Sequence, residues 1–297
     1  MVLVRVFAAV SALLVTGIAS ATAAPMTSVE VLGAGSPSAM STGPDFFVTV
    51  SDSFSPEEFG VARADIGTVG TTAAGGYFST ASFTDEITAS GAGGGTGVLQ
   101  FVFDLDGTFF GGGTIDIDMT TSVSALDAAL PGSLFGLDAR SSPLPAAGSA
   151  AIASSFIGGT PAADEISYGF TGPTPSDIDL SITSNTFDER EIDTQLVVYL
   201  AYESGVAFDF TFGMTVFSTF GEIVDFAGTA ELVAVDAVDP VTLQVMDDPT
   251  FAVSGQGGGD YFALAAANAG ADPIPVPGAF WLMGVGAAFL GARRYKS

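Results

Sequence analysis

The side chains with the clearest chemical potential in this sequence are carboxylates set two residues apart. They recur as Asp104-Leu105-Asp106-Gly107, Asp116-Ile117-Asp118 and Asp177-Ile178-Asp179, with Asp247-Asp248 as an adjacent pair. On a strand, alternate residues share a face, so each spaced pair can offer oxygen ligands to one hard cation. Asp104, Asp106, Asp116 and Asp118 are therefore candidate calcium ligands, and calcium is the one cofactor the residues suggest. They are not set in a D-x-D-x-D-G loop closed by Glu, nor in a G-G-x-G-x-D repeat. The same pairs equally suit the solvated face of a sheet, where charge discourages edge-to-edge pairing. Two carboxylates would also serve a glycosidase, but nothing in the spacing selects a pair.

Composition removes several chemistries. The chain has no His and no Cys. It can build no Ser-His-Asp or Cys-His arrangement, and it loses the commonest general base and metal ligand. It reads as non-catalytic. Sugar contacts commonly use aromatic rings, and Tyr77, Tyr168, Tyr199, Tyr202 and Tyr261 are available. The sole Trp, Trp281, lies near the C-terminus. No regular ladder of Thr is visible along the chain.

The elements that must position these residues read as strands. Leu99, Phe101, Phe103 and Leu105 alternate with Gln100, Val102, Asp104 and Asp106, the period of a half-buried antiparallel strand. Asp106-Gly107 is a turn signal, and Ile115, Ile117 and Met119 repeat the alternation after it. Ile178, Leu180 and Ile182 do the same. Gln195–Phe217 reads as a hairpin about Glu203-Ser204-Gly205. Further strands are expected at 46–50, 81–88, 231–238, 241–246 and 251–254, with a poorly periodic excursion over 124–165 that could hold a helical turn. Many short strands, 38 Gly and 25 Phe predict an all-β chain: an antiparallel β-sandwich, jelly-roll-like, built from residues 24–254. No repeat of fixed period argues for a solenoid or propeller. Residues 255–272 read as a Gly/Ala-rich linker.

Charge narrows the partners. All 33 acidic residues lie between Ala24 and Asp272, where the only basic residues are Arg63, Arg140 and Arg190, a formal −30. Such a surface repels nucleic acid and anionic headgroups.

Both termini differ from this acidic centre. Arg5, an apolar run from Val6 to Ile18 and Ala21-Thr22-Ala23 predict a signal peptide over 1–23, cut after Ala23 or alternatively Ala21. At the other end, Ile274–Ala292 is 19 residues without a charge. Pro273, Pro275 and Pro277 exclude a helix interior at its start. A short membrane-spanning helix is therefore expected at about 278–292, with Trp281 near one interface and Arg293, Arg294 and Lys296 in the cytoplasm.

This tail, residues 273–297, resembles the PEP-CTERM sorting signal of Gram-negative bacteria. Pro275, Val276, Pro277, Gly278 and Ala279 stand at the motif, followed by Trp281 and the Arg293-Arg294 end. Val276 replaces the Glu between the prolines, as in the VPLPA-type branch. The resemblance covers about 26 of the 297 residues. It implies recognition and cleavage by an exosortase-like membrane enzyme, with an inner-membrane intermediate and then delivery to the cell surface or extracellular matrix. There a structural or adhesive role is expected in a biofilm matrix, with extracellular polysaccharide as a candidate partner. The alternative is a calcium-assisted carbohydrate-binding module.

Overall fold

A computed structural model describes residues 25–33, 35–42, 46–91, 95–123, 125–129, 133–134, 137–138, 152–156, 166–171, 177–184, 189–219, 221–242, 244–256 and 259–269. The expected signal peptide and sorting tail, including every residue of the tail motif, lie outside the described residues. Among those described, no helix is long and apolar enough to cross a membrane.

The described residues are mostly antiparallel β-strand, as the alternation predicts. It opens with β1 (Met26–Leu32), β2 (Ser38–Ser41), β3 (Val48–Ser55), β4 (Glu58–Asp65) and β5 (Thr68–Ala74). The long strands β6 (Phe78–Ser90), β7 (Thr96–Phe110) and β8 (Gly113–Thr121) follow. The region expected to be an excursion contributes β9 (Ala125–Ala129), β10 (Ser133–Leu134), β11 (Leu137–Asp138) and β12 (Ile152–Phe156), and β13 (Ile166–Thr171) follows just beyond it. The chain closes with β14 (Asp177–Ser184), β15 (Glu189–Glu203), β16 (Ala207–Ser218), β17 (Ile223–Val238), β18 (Ala252–Gly255) and helix α1 (Tyr261–Ala269).

Two antiparallel sheets carry almost all of these. Sheet A runs β12-β13-β14-β8-β16-β6-β1-β2, with β18 also pairing β6. Sheet B runs β3-β4-β5-β17-β7-β15-β9. Their apolar faces meet. Phe83, Phe210 and Phe212 of sheet A lie against Phe101 and Phe103 of sheet B, and all five are essentially without solvent. Phe103 stacks on Phe212 at 4.2 Å, and Phe101 tilts on Phe210 at 5.1 Å. At one end Phe109 meets Phe226 edge-on at 5.5 Å. A core of offset aromatic pairs suits a chain with no disulfide, because each ring buries a large area.

Three expectations need correction. Gln195–Phe217 is not a hairpin: β15 pairs β7 and β9 in sheet B, while β16 pairs β6 and β8 in sheet A. The 203–206 connection is a corner between the sheets, held where Ser204 N donates to Gly95 O and Gly205 N to Ala89 O. Asp106-Gly107 is not a turn, since β7 runs straight through it. Gly107 is there because a Cβ would come within 2.4 Å of the Phe226 ring. Val241–Met246 is not a strand either. Asp239 Oδ1 accepts hydrogen bonds from Val241 N at 2.9 Å and Thr242 N at 2.7 Å, which folds the segment into a turn.

The stretch read as a linker, 255–272, holds α1. Asp260 caps it, its Oδ1 accepting from Phe262 N at 2.9 Å. The alanine-rich sequence that suggested flexibility is also a good helix former. The helix packs on β17 and β18, and Asn268 Nδ2 donates to Leu232 O at 3.0 Å.

Candidate functional site

The four candidate calcium ligands fall on opposite sides of the molecule. Asp104 and Asp106 point outward from β7 on sheet B, whereas Asp116 and Asp118 point outward from β8 on sheet A. The alternation that buries Phe103 and Leu105, and Ile115 and Ile117, fixes both directions. The two pairs cannot act as one ligand set. Asp247 and Asp248 lie in a third place, where Asp248 Oδ1 caps Thr250 N at 2.9 Å. Among the described residues no group of three or more carboxylates is arranged to hold a metal ion.

On sheet B, Asp104 stands in register between Gln195 and Glu231. Burial raises the Glu231 carboxyl; Arg63 opposes this, and Asp104 and Asp106 reinforce it. Arg63 is the one cation placed on this face among the described side chains, and it is only 9% exposed. Its Nε and Nη2 have no hydrogen-bond partner. Burial depresses its basicity, while Glu231 and Asp225 support its charge.

On sheet A the register brings Asp179 of β14 directly opposite Asp118, and Ser181 opposite Asp116. The two carboxyls are close enough for one to donate to the other whenever Asp118 holds a proton. Desolvation on the crowded face, then repulsion from Asp179 and Asp116, pushes Asp118 up to about 7. Burial also raises Asp116, against a hydrogen bond from Ser181. Hydroxyls continue the face. Thr84–Thr211, Thr80–Thr215 and Thr114–Thr183 pair across strands at 2.9, 3.1 and 3.2 Å. This Thr array crosses strands, so it has no signature along the sequence.

The sign of the Asp118 effect is unusual for a carboxylate. A group whose folded pKa exceeds its ordinary value near 4 holds its proton more tightly when folded. Its stabilising contribution is complete below about 4 and is lost as pH rises through about 7. Thermal unfolding against pH should therefore show Tm falling across that window, and Asp118→Asn should flatten the fall and raise Tm at pH 8. An unchanged slope in Asp118→Asn would show that the pair is not its source.

Sequence reasoning missed a further buried polar site. Asp85 points inward from β6, opposite Phe210, and is 3% exposed. Its Oδ2 accepts from Tyr261 Oη at 2.9 Å, and its Oδ1 accepts from Gln256 N at 3.2 Å. Burial raises Asp85; the bonds from Tyr261, Gln256 and Glu86 counter it. Burial, followed by the neighbouring Asp85, raises the Tyr261 phenol well above its usual range. The signal was present: in Ala81, Phe83, Asp85, Ile87 one carboxylate occupies an inward position.

The aromatic candidates divide. Tyr261 is buried at the Asp85 contact, and Tyr77 and Tyr202 are buried in the core. Tyr199 is half-buried on β15, and the side chain of Tyr168 lies outside the described residues.

Against protein-family models, curated proteins and solved structures, the chain has no significant match. The functional reading therefore rests on its own residues.

Proposed function

We propose that this chain is an exported cell-surface or extracellular-matrix protein with a structural or adhesive role and no catalysis of its own. The observation that carries the reading is the sequence plan: a signal-peptide pattern, a strongly acidic β-sandwich, and a proline-led apolar tail ending in Arg293, Arg294 and Lys296. The tail would be cut by an exosortase-like enzyme after its short helix had held the chain in the inner membrane. The −30 charge of residues 24–272 suits a soluble surface component that avoids nucleic acid.

The finer architecture we read as a jelly roll. Its support is the order of eight central strands, β5-β17-β7-β15 in one sheet and β6-β16-β8-β14 in the other, in which β5 to β8 and β14 to β17 each alternate between the sheets along the chain.

Intact-mass measurement on protein recovered from the native host's surface and medium tests the sorting reading. The expected species starts near Ala24 and ends near Pro277. A species retaining Trp281 through Ser297 would instead mean a lasting anchor and would overturn exosortase processing. Deleting Arg293–Lys296 should block processing or reverse orientation.

A second reading is carbohydrate binding, assisted by calcium. The face that joins Asp118 and Asp179 to a field of Thr hydroxyls favours it. Retention in gels containing neutral polysaccharide, with and without Ca²⁺, tests it. Calcium binding to the folded state would also raise Tm by mass action.

A further inference from the structure

Sheet A contains a glycine that the fold does not require. Gly213 sits mid-way along the central strand β16, in register between Ser82 of β6 and Asp118 of β8. Its φ is not positive. A Cβ there would meet Ser82 Cβ at 3.6 Å and the Asp118 and Ala81 carbonyl oxygens at 3.7 and 3.9 Å, all ordinary contacts. Gly107 is the opposite case, since packing against Phe226 forbids a side chain. A glycine inside a strand weakens it and often marks where a ligand or another backbone approaches closely. The three nearest atoms to Gly213 all belong to its own sheet, so among the described residues no atom from outside the sheet comes closer than 3.9 Å.

The geometry points to the floor at Gly213 as the binding site for an uncharged glycan. Thr211 and Thr215 flank the floor along β16, and each is hydrogen-bonded to a hydroxyl of β6. Each such pair uses one O–H internally and keeps one donor and free lone pairs for a ligand. Asp118 and Asp179 border the floor on the β14 side and accept hydrogen bonds. Beyond Thr215, Phe78 and Phe217 stack at 4.4 Å and are half-exposed, a surface for the apolar side of a sugar ring. Strands β1, β6, β8, β14 and β16 contain no Lys or Arg, so nothing on this face neutralises an anionic polymer. Donors, acceptors and an aromatic edge without a cation together describe a neutral polyhydroxyl ligand. The inference rests on the carbohydrate reading and locates it.

The test is affinity electrophoresis of the full-length chain in gels of soluble neutral glucans and mannans, each variant paired with its Tm. Gly213→Thr fills the floor with a good strand residue. It is expected to weaken retention at least tenfold while Tm holds or rises. Thr215→Val keeps volume, removes one hydroxyl and should weaken retention less. Undiminished retention of Gly213→Thr would overturn this site and leave carbohydrate binding standing. Failure of the unmodified chain to be retained by any of the polysaccharides would remove the carbohydrate reading, and this site with it. A lowered Tm in Gly213→Thr would show that the fold does need the glycine, which also overturns the argument.

Discussion

Phe103→Ala is expected to cost the sandwich about 3–5 kcal/mol, the usual range for emptying an aromatic core site. For a domain of this size that corresponds to a Tm lower by about 10 °C. The ring stands at the midline between the sheets, stacked on Phe212 at 4.2 Å and near Phe101 and Phe210 at 6.2 and 6.3 Å. Strands on both sides of β7 and β16 hold those neighbours in place, so the cavity cannot collapse without moving a central strand. Phe54→Ala is the matched control. Phe54 is 74% exposed on the edge strand β3, and its removal should change stability by no more than about 0.5 kcal/mol. Chemical unfolding of both variants decides the matter. A small loss for Phe103→Ala would mean that the two sheets do not share this aromatic core.

The contrast between those two phenylalanines was only partly legible in the sequence. The alternation around Phe103 marked it as inward, because a period of two is a property of the strand alone. Its partner was not legible. The Phe208–Phe212 series has the same period and follows β15 through a short polar connection, which a hairpin and a corner between sheets satisfy equally well. Local pattern gives the face of each strand, while sheet membership depends on long-range pairing. The same limit hid the candidate site. Asp116-Ile117-Asp118 and Asp177-Ile178-Asp179 stood out as separate pairs, but only the β14–β8 register puts Asp179 against Asp118. Asp104 and Asp106 are candidates on the same grounds as Asp116 and Asp118, yet the two pairs lie on different sheets and face away from each other. Gly107 misled in the other direction, since a glycine demanded by a neighbouring ring and a glycine demanded by a turn look identical in a sequence.

The second large effect is expected at Asp85, where the hydrogen bond and the charge can be told apart. Asp85→Ala leaves the Tyr261 hydroxyl and the Gln256 amide without their acceptor inside the protein. Loss of a hydrogen bond to a charged group, with a buried donor left unmade, should cost about 3 kcal/mol. Asp85→Asn keeps an acceptor oxygen and gives up the charge. Because burial is the largest influence on Asp85 and raises its pKa, the neutral amide should be tolerated at pH 7 with little loss. It should also remove the decline in stability expected as pH rises from the ordinary carboxylate range near 4 through the raised folded value. Gly255 belongs to the same contact, since a Cβ there would lie 1.9 Å from Asp85 Oδ2. The Tyr261 ring lies 6.0 Å from Phe101 of sheet B while its hydroxyl reaches Asp85 of sheet A, so this bond pins α1 across the end of both sheets. Native-state hydrogen exchange should therefore show α1 amides losing protection in Asp85→Ala and Tyr261→Phe before those of β7 or β16 do. If Asp85→Asn proves as costly as Asp85→Ala, the contact works through charge and not through the hydrogen bond. If α1 keeps its protection in every variant, the helix is held by its packing on β17 and the Asp85–Tyr261 bond is incidental to it.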